Sequence, residues 1–203
     1  MSGTRDVFER FVPQSAVSYC FKLWDYFGFE FKIKKSRQTK LGDYRYDPRT
    51  KKNTITINND LNQYAFLVTY LHEVAHLYTF DKHGRKAAPH GMEWKMSFKQ
   101  IAEPVLTEQV FPPEILLALQ NYFKNPKAAS CSDPVLFNIL RKYDAPSDLI
   151  PLSKIHVGDH FDFNKTEYRK LEKKRTRSVC LALATGRKYL ISEIAQVKKI
   201  DSK

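Results

Sequence analysis

From Leu61 to Phe80 the chain runs without a glycine or a proline, and Leu67, Tyr70, Leu71, Val74, Ala75 and Tyr78 recur along it at helical spacing. Such a stretch is expected to be an α-helix with one buried face. Its start is expected at Asn59 or Asp60, with Gln63 three residues after Asp60 as in a capping box. Inside it lies His72-Glu73-Val74-Ala75-His76. Positions four apart share a helix face about 5 to 6 Å apart, so His72 and His76 would present imidazoles from consecutive turns, at the edge of the buried face. Two such rings can reach one metal ion, and a carboxylate at Glu73 can take a proton from a water whose pKa zinc lowers to about 7. The same residues also fit a plain core helix whose histidines hydrogen-bond their neighbours, so the chemistry needs a further ligand.

A catalytic zinc usually takes three protein ligands and leaves one position open. The metzincin pattern would need Gly at 79 and His at 82, and this chain has Thr79 and Lys82 there, which excludes that class. His83, His90, Glu93 and Glu103 are the downstream candidates. A breaker-rich stretch from Gly84 to Pro89 is followed by His90-Gly91, which opens a second helical pattern. In that pattern Met92, Met96, Phe98 and Ile101 are the apolar positions, and Pro104 ends it. A histidine at the mouth of that helix can be held by packing while the loop folds it back over the first helix. His83, beside Gly84, is expected on a solvated loop tip.

These residues resemble the SprT-like metalloprotease family, which includes the Spartan-type proteases. His72-Glu73-Val74-Ala75-His76 matches the family's active helix, and His90-Gly91-Met92-Glu93-Trp94 is similar to its downstream H-G-x-E-F/W element. Upstream, Lys40 to Tyr46, a turn around Asp47-Pro48, and Thr54 to Asn58 would supply the short antiparallel sheet that the family places ahead of the helix. The resemblance implies His72, His76 and His90 as zinc ligands and Glu73 as general base. It also implies an α+β fold, a zincin-like minimal metalloprotease core of helices with a small antiparallel sheet, spanning 1–125. The activity implied is that of a zinc-dependent metalloendopeptidase, and the Spartan likeness adds DNA-bound or DNA-crosslinked proteins as substrates.

Around that core, Pro13 can open a helix through Tyr26 that Gly28 ends, and Phe29, Phe31 and Ile33 alternate with charged residues as in a half-buried strand. Pro112-Pro113 starts a helix through Tyr122, which Asn125-Pro126 stops. Residues 126–150 are expected to connect two packed units, with one short helical candidate from Pro134 to Tyr143. From 151 to 203 the period changes to that of strands, with turns at Val157-Gly158-Asp159 and Thr185-Gly186, which suggests a small all-β module of three to five strands. Many SprT-like proteins carry a zinc ribbon at this place. Here Cys180 is the only cysteine beyond 131, and one thiol cannot hold a Cys₄ site. His156 and His160 flank the turn at Gly158 and are expected to be solvated.

Cys20, Cys131 and Cys180 are widely spaced and odd in number, which suggests free thiols in a reducing compartment. Met1 to Arg10 carries charges where a signal peptide needs an apolar core, and no apolar run is long enough for a membrane span. The expected location is cytoplasmic, or nucleoid-associated if DNA is bound. The net charge of +12 is concentrated, with +7 in residues 151–203 and +5 in the first 150. Two basic stretches stand out, Lys32 to Lys52 and Lys165 to Arg177. Lys170, Lys173, Lys174, Arg175 and Arg177 are candidates for sequence-independent contact with phosphates, and Phe161, Phe163, Tyr168 and Tyr189 for stacking on unpaired bases. Equally, such cations can solvate strand faces while the aromatics fill a core. Two other functions fit the same residues: a zinc-containing nucleic-acid-binding module without protease activity, and a metal-dependent hydrolase of non-peptide substrates. Oligomeric state has no signature in the sequence.

Overall fold

The computed structural model describes residues 2–37, 40–127 and 133–200, and Cys131 lies outside them. The chain divides into two compact units, Met1–Asp144 and Ala145–Lys203. Together they make an α+β protein with a separate all-β C-terminal module.

In the first unit, α1 (Ser2–Phe11) and α2 (Val17–Phe27) precede the strands β1 (Glu30–Lys34), β2 (Gly42–Asp47) and β3 (Lys52–Asn58). Then come α3 (Gln63–His83), α4 (Met92–Ala102), α5 (Pro113–Lys124) and α6 (Pro134–Arg141). Helix α1 was not anticipated from the sequence: it carries Arg5, Asp6, Glu9 and Arg10, yet Phe8 is wholly buried against Phe31 and Tyr70. Helix α2 ends as expected, with Gly28 in the left-handed region (φ 59°) and its N–H donating to the Trp24 carbonyl.

The small sheet has the order β1-β3-β2. Strand β2 pairs antiparallel with β3 as expected, whereas β1 pairs parallel with it, so the sheet is mixed. Ile55 and Ile57 of the central strand are fully buried. The inward faces of β2 and β3 lie on α3.

Helix α3 is the axis of this unit. Its N-cap is Asn62, later than the expected Asn59 or Asp60, with Asn62 Oδ1 accepting from the Tyr64 and Ala65 amides at 3.1 and 3.0 Å. The other side of the same side chain donates to the Leu140 carbonyl (2.9 Å) and to Asp144 (2.6 Å), tying the end of α6 to the start of α3. Leu136 and Leu140 of α6 join the first unit's core, so much of the expected connector at 126–150 is packed structure. Every residue from Phe66 to Ala75 is buried. The helix is therefore enclosed on all sides along this stretch, with no single apolar face.

The second unit is a six-stranded antiparallel sheet, one strand more than the upper expectation. Its strands are β4 (Ile150–Pro151), β5 (His160–Phe163), β6 (Thr166–Lys173), β7 (Arg177–Ala182), β8 (Lys188–Ser192) and β9 (Gln196–Ile200), in the order β4-β9-β5-β6-β7-β8. Its core is Leu152, Ile155, Phe161, Cys180, Ile191 and Val197. No helix among the described residues is long and apolar enough to cross a membrane.

Candidate metal centre

His72 and His76 leave α3 one turn apart, and the Nε2 atoms of the two rings stand 3.2 Å from each other. His90 completes the group, its Nε2 3.0 Å from that of His76. The helical spacing brings the first two together. The third arrives because His90 adopts a left-handed backbone (φ 59°) just ahead of Gly91, the N-cap of α4. That conformation costs a non-glycine residue roughly 1 to 2 kcal/mol, and the surrounding packing holds it in place.

Trp94 of α4 is that packing. It is 1% exposed, and its ring lies 4.7 Å from that of His72, 5.2 Å from that of His76 and 4.7 Å from that of His90, centroid to centroid. Phe98, one turn on, backs both Trp94 and His72. One helix face thus fixes all three imidazoles, a role for Trp94 that its place in the sequence motif did not disclose.

Burial disfavours the charged form of all three rings. Burial holds His72 at about 2, with His76 and His90 adding to the effect, and His76 at about 4, with His90 adding; burial also lowers His90. Neutral imidazoles offer lone pairs, and three facing one another cannot all be satisfied by one another's N–H groups. His72 Nδ1 and Trp94 Nε1 are buried without a hydrogen-bond partner. Among the described residues, this is the one group of side chains whose ligand atoms could hold a metal ion, all within 4.8 Å of one another. His83, Glu93 and Glu103 are exposed and outside it.

Glu73 stands next to His72 and is 7% exposed. Burial pushes its carboxyl up to about 8, and the charge of Asp43 adds to that; the Tyr44 N–H, which donates to it, and the cations Arg37 and Lys40 act the other way. Strand β2 is thus Glu73's immediate neighbour. Arg37 is held by Asn58 (2.7 Å) and Thr56 (2.9 Å), and Lys40 by Asp43 (2.7 Å).

In the second unit one of the five cations expected to meet phosphates is withdrawn from the surface. Lys170, read from the sequence as a phosphate contact, is 2% exposed, donating to the Leu152 carbonyl at 2.8 Å and paired with Glu193 Oε1 at 3.1 Å. A β-bulge between Lys170 and Glu172 breaks the alternation. Lys173, Lys174, Arg175 and Arg177 are exposed. Of the aromatics expected to stack on bases, Phe161 is wholly buried with Tyr168 stacked on it, while Tyr189 is exposed. His156 and His160 pair separately, with Asp159 (3.6 Å) and Glu167 (3.1 Å), and share no site.

A family model described as the SprT-like family matches residues 10–115, which takes in α2, the small sheet, α3, α4 and all three histidines. No curated protein and no solved structure matches the chain. The family match covers just over half of the 203 residues and includes the helix, the loop and the turn that bring His72, His76 and His90 together; the chain belongs to the SprT-like family.

Proposed function

We propose that this protein is a zinc-dependent metalloendopeptidase acting on extended or locally unfolded protein segments. The observation that carries the reading is three converging histidines with a buried carboxylate beside them. Among the described residues the group stops at three ligands, the number that catalytic zinc sites use, whereas structural sites are closed by a fourth. Around zinc at about 2.0 to 2.1 Å, tetrahedral ligands are about 3.3 Å apart, close to the 3.2 and 3.0 Å between the Nε2 atoms here.

When bound, zinc supplies Lewis-acid polarisation of a carbonyl and lowers the pKa of water to about 7. His72, His76 and His90 would hold it, with Trp94 keeping the rings in place. Glu73 accepts the proton lost by water and passes it to the leaving amine. Burial, with Asp43 adding, sets its carboxyl at about 8; a cation held beside it would favour the charged form that accepts a proton, as the Tyr44 N–H, Arg37 and Lys40 already do in part. Strand β2 is an edge strand of the sheet and passes directly beside Glu73, so an extended peptide can add to that edge next to the reacting carboxylate. This favours a peptide over a small non-peptide substrate. The exposed Lys173, Lys174, Arg175 and Arg177 support a further element, recruitment to DNA and to proteins bound or crosslinked there.

One experiment separates these elements: digestion of a basic DNA-binding protein by the full chain, with and without single- and double-stranded DNA, using Glu73→Gln as the comparison. The wild type is expected to cleave, and Glu73→Gln to retain zinc and lose cleavage by at least about 10²-fold. Undiminished cleavage by Glu73→Gln would refute the mechanism. DNA is expected to stimulate cleavage in a salt-sensitive way, and the absence of stimulation would remove nucleic acid from the reading.

A further inference from the structure

Gly42, the first residue of β2, sits against α3 with no room for a side chain. A Cβ there would lie 2.7 Å from Glu73 Oε1, 2.8 Å from Glu73 Cγ and 2.7 Å from Thr69 Cγ2. Its backbone lies outside the left-handed region, so the glycine answers a need for space and not for conformation. Glycine otherwise weakens a strand, and one inside a strand often marks close approach of another group.

Neither the strand nor Thr69 can readily withdraw. Gly42 is in register with Ile57, which is fully buried in the central strand, so β2 cannot lift away without breaking the sheet. Thr69 is buried, and its Oγ1 donates to the Ala65 carbonyl at 2.7 Å, which fixes the direction of its methyl group. The Glu73 side chain is the one group left to move. It is held from the same strand: the Leu41 carbonyl accepts from the Asn58 amide, and the antiparallel alternation then turns the Tyr44 N–H away from β3, to Glu73.

We infer that Gly42 is a positioning residue for Glu73: the missing side chain at Gly42 and the Tyr44 N–H together fix where the carboxylate stands beside the three histidines. The inference rests on the reading of Glu73 as the proton carrier, but its structural part is testable without activity. In Gly42→Ala the added methyl displaces the Glu73 carboxylate and breaks its bond to the Tyr44 amide. None of the three atoms nearest to the added methyl belongs to a histidine.

The test compares wild type, Gly42→Ala, Glu73→Gln and the double variant Gly42→Ala/Thr69→Ser, all as full chains. Serine at 69 keeps the Oγ1 bond and removes the clashing methyl. In Gly42→Ala the Tyr44 amide is expected to lose hydrogen-exchange protection while β1–β3 pairing and zinc stoichiometry persist. Against a denatured protein its kcat is expected to fall on the order of 10²-fold with KM nearly constant, and the double variant to recover part of both signals. Wild-type protection at Tyr44 together with wild-type kcat in Gly42→Ala overturns the inference. If the wild type itself does not cleave, the peptidase reading fails, and unchanged exchange at Tyr44 in Gly42→Ala still decides the positioning claim. If Gly42→Ala does not fold, the double variant carries the same two readouts, and wild-type values of both there refute it.

Discussion

Two buried polar clusters, one in each unit, are built on opposite principles. In the second unit Lys170 and Glu193, 2% and 6% exposed, satisfy each other and their surroundings. Glu193 accepts from Ser178 Oγ at 2.6 Å and from Lys170, whose remaining reach goes to the Leu152 carbonyl. In the first unit three histidines crowd their lone pairs together, and His72 Nδ1 and Trp94 Nε1 stay unpaired. A buried network whose members satisfy one another needs nothing added, and it pins strands in register. Three Nε2 lone pairs that face one another, one of them on a backbone held at positive φ, are arranged for a cation.

The largest expected effect comes from breaking the satisfied cluster. Lys170→Ala leaves the Glu193 carboxylate buried without its main partner, a loss of about 3 to 5 kcal/mol. It should be read by urea unfolding together with hydrogen exchange in β6 and β7. Pairing Lys170→Met with Glu193→Leu should restore most of that stability, since both charges are then gone. Lys173→Ala, losing only a rim contact at 3.8 Å, is the control and should change stability by under about 0.5 kcal/mol. A small loss in Lys170→Ala would show that the second cluster is not the structural pin described here.

Next in size is the pH response of the first cluster in cation-free protein. His72 and His76, at about 2 and about 4, lie below the ordinary 6.5, so their contribution is whole above pH 6.5 and is lost as pH falls. Glu73, at about 8 against an ordinary 4.5, works the other way, because the folded form keeps a proton that the unfolded form releases in this range. Between pH 4.5 and 6.5 the unfolded chain gains protons on His72 and His76 and lacks the one that folded Glu73 keeps, while His90, lowered by burial, acts with the other two histidines. Stability therefore falls on acidification, by at least roughly 1 kcal/mol per pH unit. Glu73→Gln removes the opposing group, so the slope should steepen by one proton's worth, roughly 1 kcal/mol per pH unit. Urea midpoints of the chelator-treated protein across that range check it. Equal slopes would mean that Glu73 holds no extra proton in the folded state.

What was legible in the sequence was local. The helix through His72 and His76, the turn that delivers His90, and the left-handed cap at Gly28 follow from spacing and from residues with few conformational options. What escaped depended on contacts distant in sequence. Helix α1 presents charges along its length, and only the aromatics that meet Phe8 show why it is packed. The parallel pairing of β1 with β3 skips the intervening strand. Lys170 read as one cation in a basic run because Glu193 lies 23 residues away and the bulge between Lys170 and Glu172 breaks the strand alternation. Gly42 looked like any glycine at the start of a strand, since its meaning lies in Glu73 on another element. Its signal was a glycine where the aromatic alternation of Tyr44 and Tyr46 would place an inward side chain.

The most direct test of the contrast between the clusters is a zinc titration of the chelator-stripped full chain against a competing chromophoric chelator. The expected result is one zinc per chain, weakened by at least about 10²-fold in His76→Ala or His90→Ala and unchanged when His156 and His160 of the second unit are both replaced by alanine. No stoichiometric binding, or binding that survives His76→Ala and His90→Ala together, would contradict it.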